Sequence, residues 1–235
     1  MFRCTVWGVK IEMPYPNEQA GIRSPTGLVQ AGAFEGAIAC GGWEQCERDR
    51  IGRFLLDTDV IEFGGGTGFI SCFTNKLMKN NRLHLVYEAS PLLIEMIENN
   101  RDINGCNFKV INKAYNAVEK SINYEITNVI DNIVAYDTPT IFNVDAVSLA
   151  DVLTEYPQIE EYTLVMDVEG SENGLVLESE ALKKCKAVFI DIHKSGYEAG
   201  GKGFAWTDVN KFLLEEGFVL KDRCGCVNWV GAYAR

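Results

Sequence analysis

The sequence has 235 residues, 47% of them hydrophobic, and a formal net charge of −11, which suits a single α/β domain with a substantial core. The negative charge disfavours sequence-independent binding to nucleic acid or to anionic membranes, because both need a basic face. No stretch approaches the length of a membrane span, and the first residues lack the apolar core of a signal peptide. We therefore expect a cytoplasmic chain that acts on a small or neutral substrate, or on a basic partner.

The eight cysteines are expected to be reduced thiols in that compartment. The closest pair is Cys224 and Cys226, and the two histidines are His84 and His193. Zinc sites usually combine two close cysteine pairs, or one pair with histidines. We therefore interpret Cys224 and Cys226 as small apolar residues at a turn.

The chain is predicted to divide near residue 57. Residues 1–56 are predicted to be a lead-in with one helix and a candidate lid, and residues 57–235 a single globular domain. Within the lead-in, residues 1–40 are rich in Gly, Pro and Ala and predict irregular structure. Residues 43–56 have the spacing of a helix.

From residue 59 onward, apolar runs typical of strands alternate with amphipathic helical segments. Strands are predicted at 59–63, 82–88, 107–115, 162–170 and 187–193, and helices at 68–79, 91–102, 148–156, 172–184 and 206–217. Ser90 is predicted to cap the second of these helices, and much of 116–150 is ambiguous. This alternation predicts a parallel sheet with helices on both faces. A closing hairpin over 218–234 indicates a seven-stranded mixed sheet whose last strand runs antiparallel.

The segment E-F-G-G-G-T-G-F, Glu62 to Phe69, joins the first strand of this alternation to the first helix. Ligands of open α/β sheets bind outside the carboxyl ends of the strands, and glycine lets a ligand approach the backbone closely. A dinucleotide fingerprint starting at Gly64 would need glycine where Phe69 stands, and no Lys-Ser/Thr follows as in a phosphate-binding loop. The loop therefore predicts a ligand without a pyrophosphate and disfavours a nicotinamide oxidoreductase.

Glu88 ends the second strand of the alternation, where a carboxylate can accept hydrogen bonds from both hydroxyls of a ribose. A nucleoside without a pyrophosphate on a seven-stranded sheet indicates S-adenosylmethionine as the cofactor. The residues predicted to contact it are Glu62, Gly64, Gly65, Gly66, Gly68, Phe69, Glu88, Ala89, Ser90 and Asp167.

Two groups of motifs resemble a known family. The glycine loop, followed by Y-E-A-S-P-L-L-I-E-M-I-E-N-N-R-D-I-N, looks like the cofactor half of a class I methyltransferase. L-V-M-D-V-E-G-S-E-N-G-L-V-L and F-I-D-I-H are similar to FkbM-type methyltransferases, and the resemblance covers roughly residues 57–195. It implies a Rossmann-like class I methyltransferase fold and S-adenosylmethionine-dependent O-methylation, often of sugars or secondary metabolites. Glu62, Gly65 and Gly66 depart from the family's usual Asp, Ala and Asn, and Asp191 replaces its usual Glu.

Methyl transfer requires the protein to align a nucleophile and to remove its proton. His193 is the first candidate for the general base, because imidazole titrates near neutrality, and Glu169 is a rival. Asp167 is the third catalytic candidate and is predicted to lie beside the methionine part of the cofactor, whose amino group and sulfonium attract carboxylates. Glu169 and Glu172 could instead hold a divalent ion, but no metal site is predicted.

The acceptor is predicted to be a small molecule or a glycan. Two alternatives stay open, namely a catalytically silent cofactor-binding protein and a nucleic-acid methyltransferase. The glycine-rich segment 196–206 is the preferred substrate loop, and the sequence does not indicate the oligomeric state.

Overall fold

The computed structural model describes residues 2–6, 9–13, 44–79, 81–126, 140–193, 206–224 and 229–235. The strands are β1 (Phe2–Val6), β2 (Val9–Met13), β3 (Asp59–Phe63), β4 (His84–Tyr87), β5 (Lys109–Ile111), β6 (Ala114–Tyr115), β7 (Ser121–Ile126), β8 (Thr140–Val147), β9 (Tyr162–Met166), β10 (Cys185–Ile192), β11 (Val219–Cys224) and β12 (Trp229–Ala234). The helices are α1 (Gln45–Phe54), α2 (Phe69–Leu77), α3 (Ile94–Ile103), α4 (Leu149–Glu155), α5 (Ser179–Leu182) and α6 (Trp206–Glu215), with a 3-10 helix at Ser171–Leu177.

The main sheet has seven strands in the order β11-β12-β10-β9-β3-β4-β5. Its interior strands β3, β4, β9 and β10 pair in parallel, whereas β12 is antiparallel to both β10 and β11. The prediction of a seven-stranded mixed sheet with an antiparallel last strand is therefore confirmed. The order reverses between β3 and β9, which places a ligand crevice at their carboxyl ends.

Helices cover both faces of this sheet, as predicted. Side chains alternate along each strand, so β3 sends Val60 to the face covered by α1, α2 and α3, and Ile61 to the opposite face. The opposite face is covered by α4, α5, α6 and the 3-10 helix. Ile51 of α1 is fully buried and packs in the same apolar cluster as Val60. Although α1 was assigned to the lead-in, it therefore shares the core of the main sheet.

Three predictions about local structure are wrong. The first residues, expected to be irregular, form the antiparallel hairpin β1–β2, and the amide side chain of Asn104 bonds the backbone of Lys10 in both directions. The helix expected to follow a Ser90 cap begins only at Ile94, after a turn, and its first residue has no side-chain cap. The single helix predicted over 172–184 is split into the 3-10 helix and α5.

The ambiguous region contains β7 and β8, which join β6, from the end of the strand predicted over 107–115, in a three-stranded sheet of order β6-β8-β7. Just after it, Ser148 and Asp151 form a capping box at the start of α4, which supports the predicted helix there. The C-terminal end of α6 leads to Gly217 at φ 87, as the sequence predicts for a helix-ending glycine.

The expectation of reduced thiols is wrong for one pair of cysteines. Cys46 of α1 and Cys224 of β11 form a disulfide across 178 residues of sequence. Cys224 is therefore a cross-link and not only a small residue at a turn. Among the described residues, Cys72, Cys106 and Cys185 are free.

Candidate active site

The glycine loop lies at the reversal of strand order, and two of its glycines show what it needs. Gly64 has φ +91, and an added Cβ would lie 1.7 Å from the backbone oxygen of Asp167, so no side chain fits between the two strand ends. Gly66 has φ +53, and no atom lies within 4 Å of the position of its missing Cβ. Gly64 therefore permits close packing of the two loops, whereas Gly66 leaves open space above the backbone.

Glu88 lies against this open part of the loop. Its Oε2 accepts a hydrogen bond from the Gly66 amide at 2.9 Å, and its Oε1 accepts one from the Ser90 amide at 2.7 Å. Burial raises the pKa of Glu88, and these backbone donors oppose that rise. The carboxylate is therefore fixed at the loop, where the sequence predicts the cofactor's ribose.

Other predicted cofactor contacts lie beneath the loop. Glu62 is only 1% exposed, and its carboxylate accepts hydrogen bonds from Ser71 Oγ at 2.5 Å and pairs with His84 Nε2 at 2.9 Å. The Phe69 side chain is buried in the core. A Cβ added to Gly65 or Gly68 would press on Ile97, and Ser90 is buried. These residues support the loop from below instead of lining the open space.

The second half of the site is a histidine surrounded by carboxylates at the ends of β9 and β10. His193 Nδ1 lies 3.1 Å from Glu172 Oε1 and 3.8 Å from Asp167 Oδ1. His193 Nε2 lies 3.3 Å from Glu169 Oε2 and 3.9 Å from Asp191 Oδ2. The structure therefore brings all three predicted catalytic residues, His193, Glu169 and Asp167, together.

Alternation along the strands explains this convergence. Phe189 packs in the apolar core on the face of the sheet covered by α1. Asp191 and His193 follow it at intervals of two residues, so their side chains point to the same face. The loop after β9 is shaped by Glu172, which is 1% exposed and accepts hydrogen bonds from the amides of Val168 and Gly170, both at 3.0 Å. Because these bonds occupy its carboxylate, Glu172 is better placed to shape the turn than to join Glu169 in holding an ion.

The surrounding charges set the protonation of His193. Burial lowers the pKa of His193, but the hydrogen bond to Glu172 and the charges of Asp167, Glu172 and Glu169 outweigh it and raise that pKa to about 10. Partial burial raises the pKa of Asp167 well above its usual range, and the imidazolium of His193 opposes the rise. Near neutral pH, His193 therefore carries a proton before any ligand binds.

A further carboxylate, which the sequence analysis missed, reaches the site from α1. An oxygen of Glu47 lies within 4.8 Å of oxygens of Asp167 and Asp191. Burial and the neighbouring Asp191 raise the pKa of Glu47 to about 7. No motif marks this residue, because it comes from a helix outside the glycine-loop and D-V-E-G-S-E segments.

The residues present fit the cationic cofactor that the fold implies. Oδ1 of Asp167 is buried and has no hydrogen-bond partner within the described residues, so a positively charged donor would satisfy it. Asp167, Glu169 and His193 also bring donor atoms within 4.8 Å of one another. That set has the donor types and the spacing that a metal ion would use, and the absence of a metal stays a prediction.

The strand order, the glycine loop after β3 and the acidic residue after β4 together match the Rossmann-like fold of class I methyltransferases. The family model described as "Methyltransferase FkbM domain" matches residues 60–220, more than half of the chain. The chain therefore belongs to the FkbM methyltransferase family, a family of S-adenosylmethionine-dependent enzymes.

Solved structures resemble the chain at low sequence identity. The precorrin-6y C5,15-methyltransferase of Geobacter metallireducens GS-15 is 12% identical over 80% of this chain and 85% of that chain, with a TM-score of 0.48. A SAM-dependent methyltransferase from Aquifex aeolicus is 12% identical over 88% and 98% of the two chains, with a TM-score of 0.48. The ribosomal protein L11 methylase of Lactobacillus delbrueckii subsp. bulgaricus is 14% identical over 82% and 77%, with a TM-score of 0.46.

A search of curated protein sequences gives no significant match. Within the described residues, no helix combines the length and apolarity needed to cross a bilayer. Most of residues 1–40, where the lid is expected, and residues 196–205 of the candidate substrate loop lie outside the described residues.

Proposed function

We propose that this protein transfers a methyl group from S-adenosylmethionine to a hydroxyl oxygen of a small-molecule or glycan acceptor. The observation that supports it best is His193 among carboxylates beside the glycine loop, with Glu169 Oε2 at 3.3 Å and Glu172 Oε1 at 3.1 Å. A hydroxyl is a weak nucleophile, so its proton must be taken by a positioned base. A cluster of titratable groups at the strand ends suits that task.

The cofactor, when bound, supplies a methyl group on a positively charged sulfonium. Gly66 leaves space for the adenosyl part above the loop, and Glu88 is fixed where it can accept hydrogen bonds from ribose hydroxyls. Asp167 offers its buried, unsatisfied Oδ1 to a cationic donor. These three residues bind and orient, and they leave the proton transfer to the groups around His193.

His193 acts as the base once a cation lies beside Asp167. The carboxylates that raise its pKa to about 10 are then partly offset, so the pKa of His193 falls towards neutrality. Glu172 holds Nδ1 by its 3.1 Å contact, which orients Nε2 towards Glu169 and the acceptor. Glu169 remains the rival base, because its side chain is 57% exposed and lies 3.3 Å from Nε2.

The acceptor is proposed to be uncharged or weakly charged. The chain carries a net charge of −11, and the site adds several carboxylates around one imidazole. A phosphate-rich acceptor would be repelled unless a basic surface compensated. Methylation of a neutral hydroxyl is therefore favoured over methylation of a nucleic acid.

The proposal is tested with purified protein, S-adenosylmethionine and matched panels of sugars and polyols, transfer RNA, and peptides, with methylated products detected by mass spectrometry. A product from the hydroxyl panel that is lost in His193→Ala, while S-adenosylhomocysteine still binds by calorimetry, supports it. Methylation confined to RNA or peptide would overturn the acceptor assignment. Cofactor binding without turnover on any panel would favour the catalytically silent alternative.

A further inference from the structure

Glu47 enters the site from a part of the chain that the family match does not include. The FkbM domain match begins at residue 60, whereas Glu47 is the third residue of α1, Gln45–Phe54. Its carboxylate nevertheless lies within 4.8 Å of those of Asp167 and Asp191. The acidic site is therefore built from the domain and from one helix that precedes it.

The position of α1 is fixed by several links to β11. The disulfide from Cys46 to Cys224 lies one residue from Glu47. Two turns along the same helix, Arg53 pairs with Asp222 at 2.8 Å, and Arg50 approaches the same carboxylate at 3.4 Å. Because the covalent link is next to Glu47, it restrains the first turn of α1, where the carboxylate reaches into the site.

We propose that Glu47 is a positioning residue of the active site, acting through Asp191, and that the Cys46–Cys224 disulfide holds it in place. This inference rests on the proposed function for its activity readout. Carboxyl groups this close favour a state in which one of them keeps its proton, because two bare carboxylates repel each other. The proton on Glu47 thus limits the negative charge near His193, whose Nε2 lies 3.9 Å from Asp191 Oδ2.

The charges around Glu47 explain why it can change state near neutrality. Burial and Asp191 raise the pKa of Glu47 to about 7, and Arg50 opposes the rise. The titratable and charged groups that face it from the packed elements are Asp191 of β10, Asp167 after β9 and Arg50 of α1. Above that pH, Glu47 loses its proton, and the carboxylates of Glu47 and Asp191 repel each other.

The disulfide makes this arrangement dependent on redox conditions. A dithiol such as dithiothreitol reduces it to two thiols by supplying two electrons and two protons, and is itself oxidised to a cyclic disulfide. Reduction removes the covalent restraint next to Glu47 while leaving the ion pairs to Asp222. We expect reduced protein to keep its fold and to resemble a variant without a proton donor at position 47.

The experiment compares Glu47→Gln and Glu47→Ala with the wild type. Gln donates a hydrogen bond to Asp191 at every pH, so Glu47→Gln should keep kcat within about threefold and lose the fall in kcat above about pH 7, whereas the rise that reports deprotonation of His193 should remain. Glu47→Ala should lose at least about tenfold in kcat with little change in KM for S-adenosylmethionine. Asp49→Asn, an exposed residue of the same helix that pairs with Arg48, is the matched control and should change neither.

Two readouts do not depend on turnover. In a proton NMR titration, the pKa of His193 should shift in Glu47→Ala and not in Asp49→Asn, with calorimetric binding of S-adenosylhomocysteine unchanged. Dithiothreitol should lower wild-type kcat towards that of Glu47→Ala and have no further effect on that variant. An unchanged His193 titration in Glu47→Ala would overturn the positioning role, and full activity after reduction, verified by thiol counting, would overturn the role of the disulfide. Absence of turnover in the wild type alone would reject the proposed function and leave the titration as the test of Glu47.

Discussion

The loop between β3 and α2 contains two glycines with positive φ that serve different purposes. For Gly64→Ala, the added Cβ would lie 1.7 Å from the Asp167 oxygen, so overpacking adds to backbone strain and we expect a loss of about 2–6 kcal/mol of unfolding free energy. For Gly66→Ala, the space is open, so only strain of about 1–2 kcal/mol applies. Urea unfolding measures both losses.

The variants Gly64→Ala and Gly66→Ala also separate an effect on folding from an effect on cofactor binding. The Cβ of Gly66→Ala would extend into the space proposed for the adenosyl group, so affinity for S-adenosylhomocysteine should fall by about tenfold or more in calorimetry. If Gly66→Ala bound normally, the proposed position of the cofactor above that residue would be wrong.

At the scale of single residues, the sequence identified the site residues that belong to recognisable motifs. It missed those whose position depends on how the elements pack together. Asp167, Glu169 and His193 lie near the carboxyl ends of two strands that the sequence predicts to be neighbours, so their convergence was expected from strand order. Glu62 was expected to face the cofactor, but its parity on β3 turns it towards Ser71 and His84. Glu47 could not be found, because its approach depends on how α1 packs against β10 and β12.

Among the elements, the turn from Asp167 to the 3-10 helix depends on one buried carboxylate. Glu172 accepts hydrogen bonds from two backbone amides and contacts His193 Nδ1 at 3.1 Å. Glu172→Gln keeps an acceptor for the turn but removes a charge from the histidine. We expect the pKa of His193, about 10 in the wild type, to fall by about one to three pH units, as measured by NMR.

The matched control for this experiment is Glu178→Gln. Glu178 is also buried and accepts hydrogen bonds from two backbone amides, those of Leu149 and Ala150. It serves the start of α4, on the face of the sheet opposite to the one towards which His193 points. Its replacement should leave the His193 titration unchanged. Equal shifts in both variants would mean that the effect is a general loss of stability.

The elements themselves were predictable where one signal dominated. Apolar runs located β3, β4, β9 and β10, because strands buried on both faces are continuous in hydrophobicity. The hairpin β1–β2 and the split of residues 172–184 were missed, since short alternation is weak and Glu172 favours a tight 3-10 turn that helical periodicity does not reveal.

For the whole molecule, the sheet architecture and the family could be predicted from the sequence, but the disulfide between Cys46 and Cys224 could not. Alternating strands and helices with a closing hairpin restrict the topology to a few arrangements, and the observed order is among them. The partner of Cys224 cannot be deduced from spacing, and it lies 178 residues away. The disulfide also departs from the reduced thiols that the expected cytoplasmic location implies.

The folded state should be less stable at alkaline than at mildly acidic pH. Glu47 and His193 have folded-state pKa values raised to about 7 and about 10, from ordinary values of 4.5 and 6.5. Groups with raised pKa values bind protons more tightly when folded, so their contribution is fully present below the ordinary pKa and is lost as pH rises through the raised one. The affected windows are therefore about pH 4.5–7 for Glu47 and about pH 6.5–10 for His193.

At acidic pH, the stability of the folded state is expected to change in the opposite direction and to fall as the pH is lowered. Lys120 and Ser148 hold the pKa of Asp151 at about 2, so that contribution is present above its ordinary value of 3.8 and is lost as pH falls towards 2. Stability should thus peak near pH 4–5, between the ordinary pKa values of Asp151 and Glu47. Thermal unfolding from pH 3 to 9.5 should show a falling melting temperature above the peak. Because the His193 contribution is absent in His193→Asn, the melting temperature of that variant should decline less steeply between pH 7 and 9.5. An equally steep decline would mean that the carboxylates around His193 do not hold its proton.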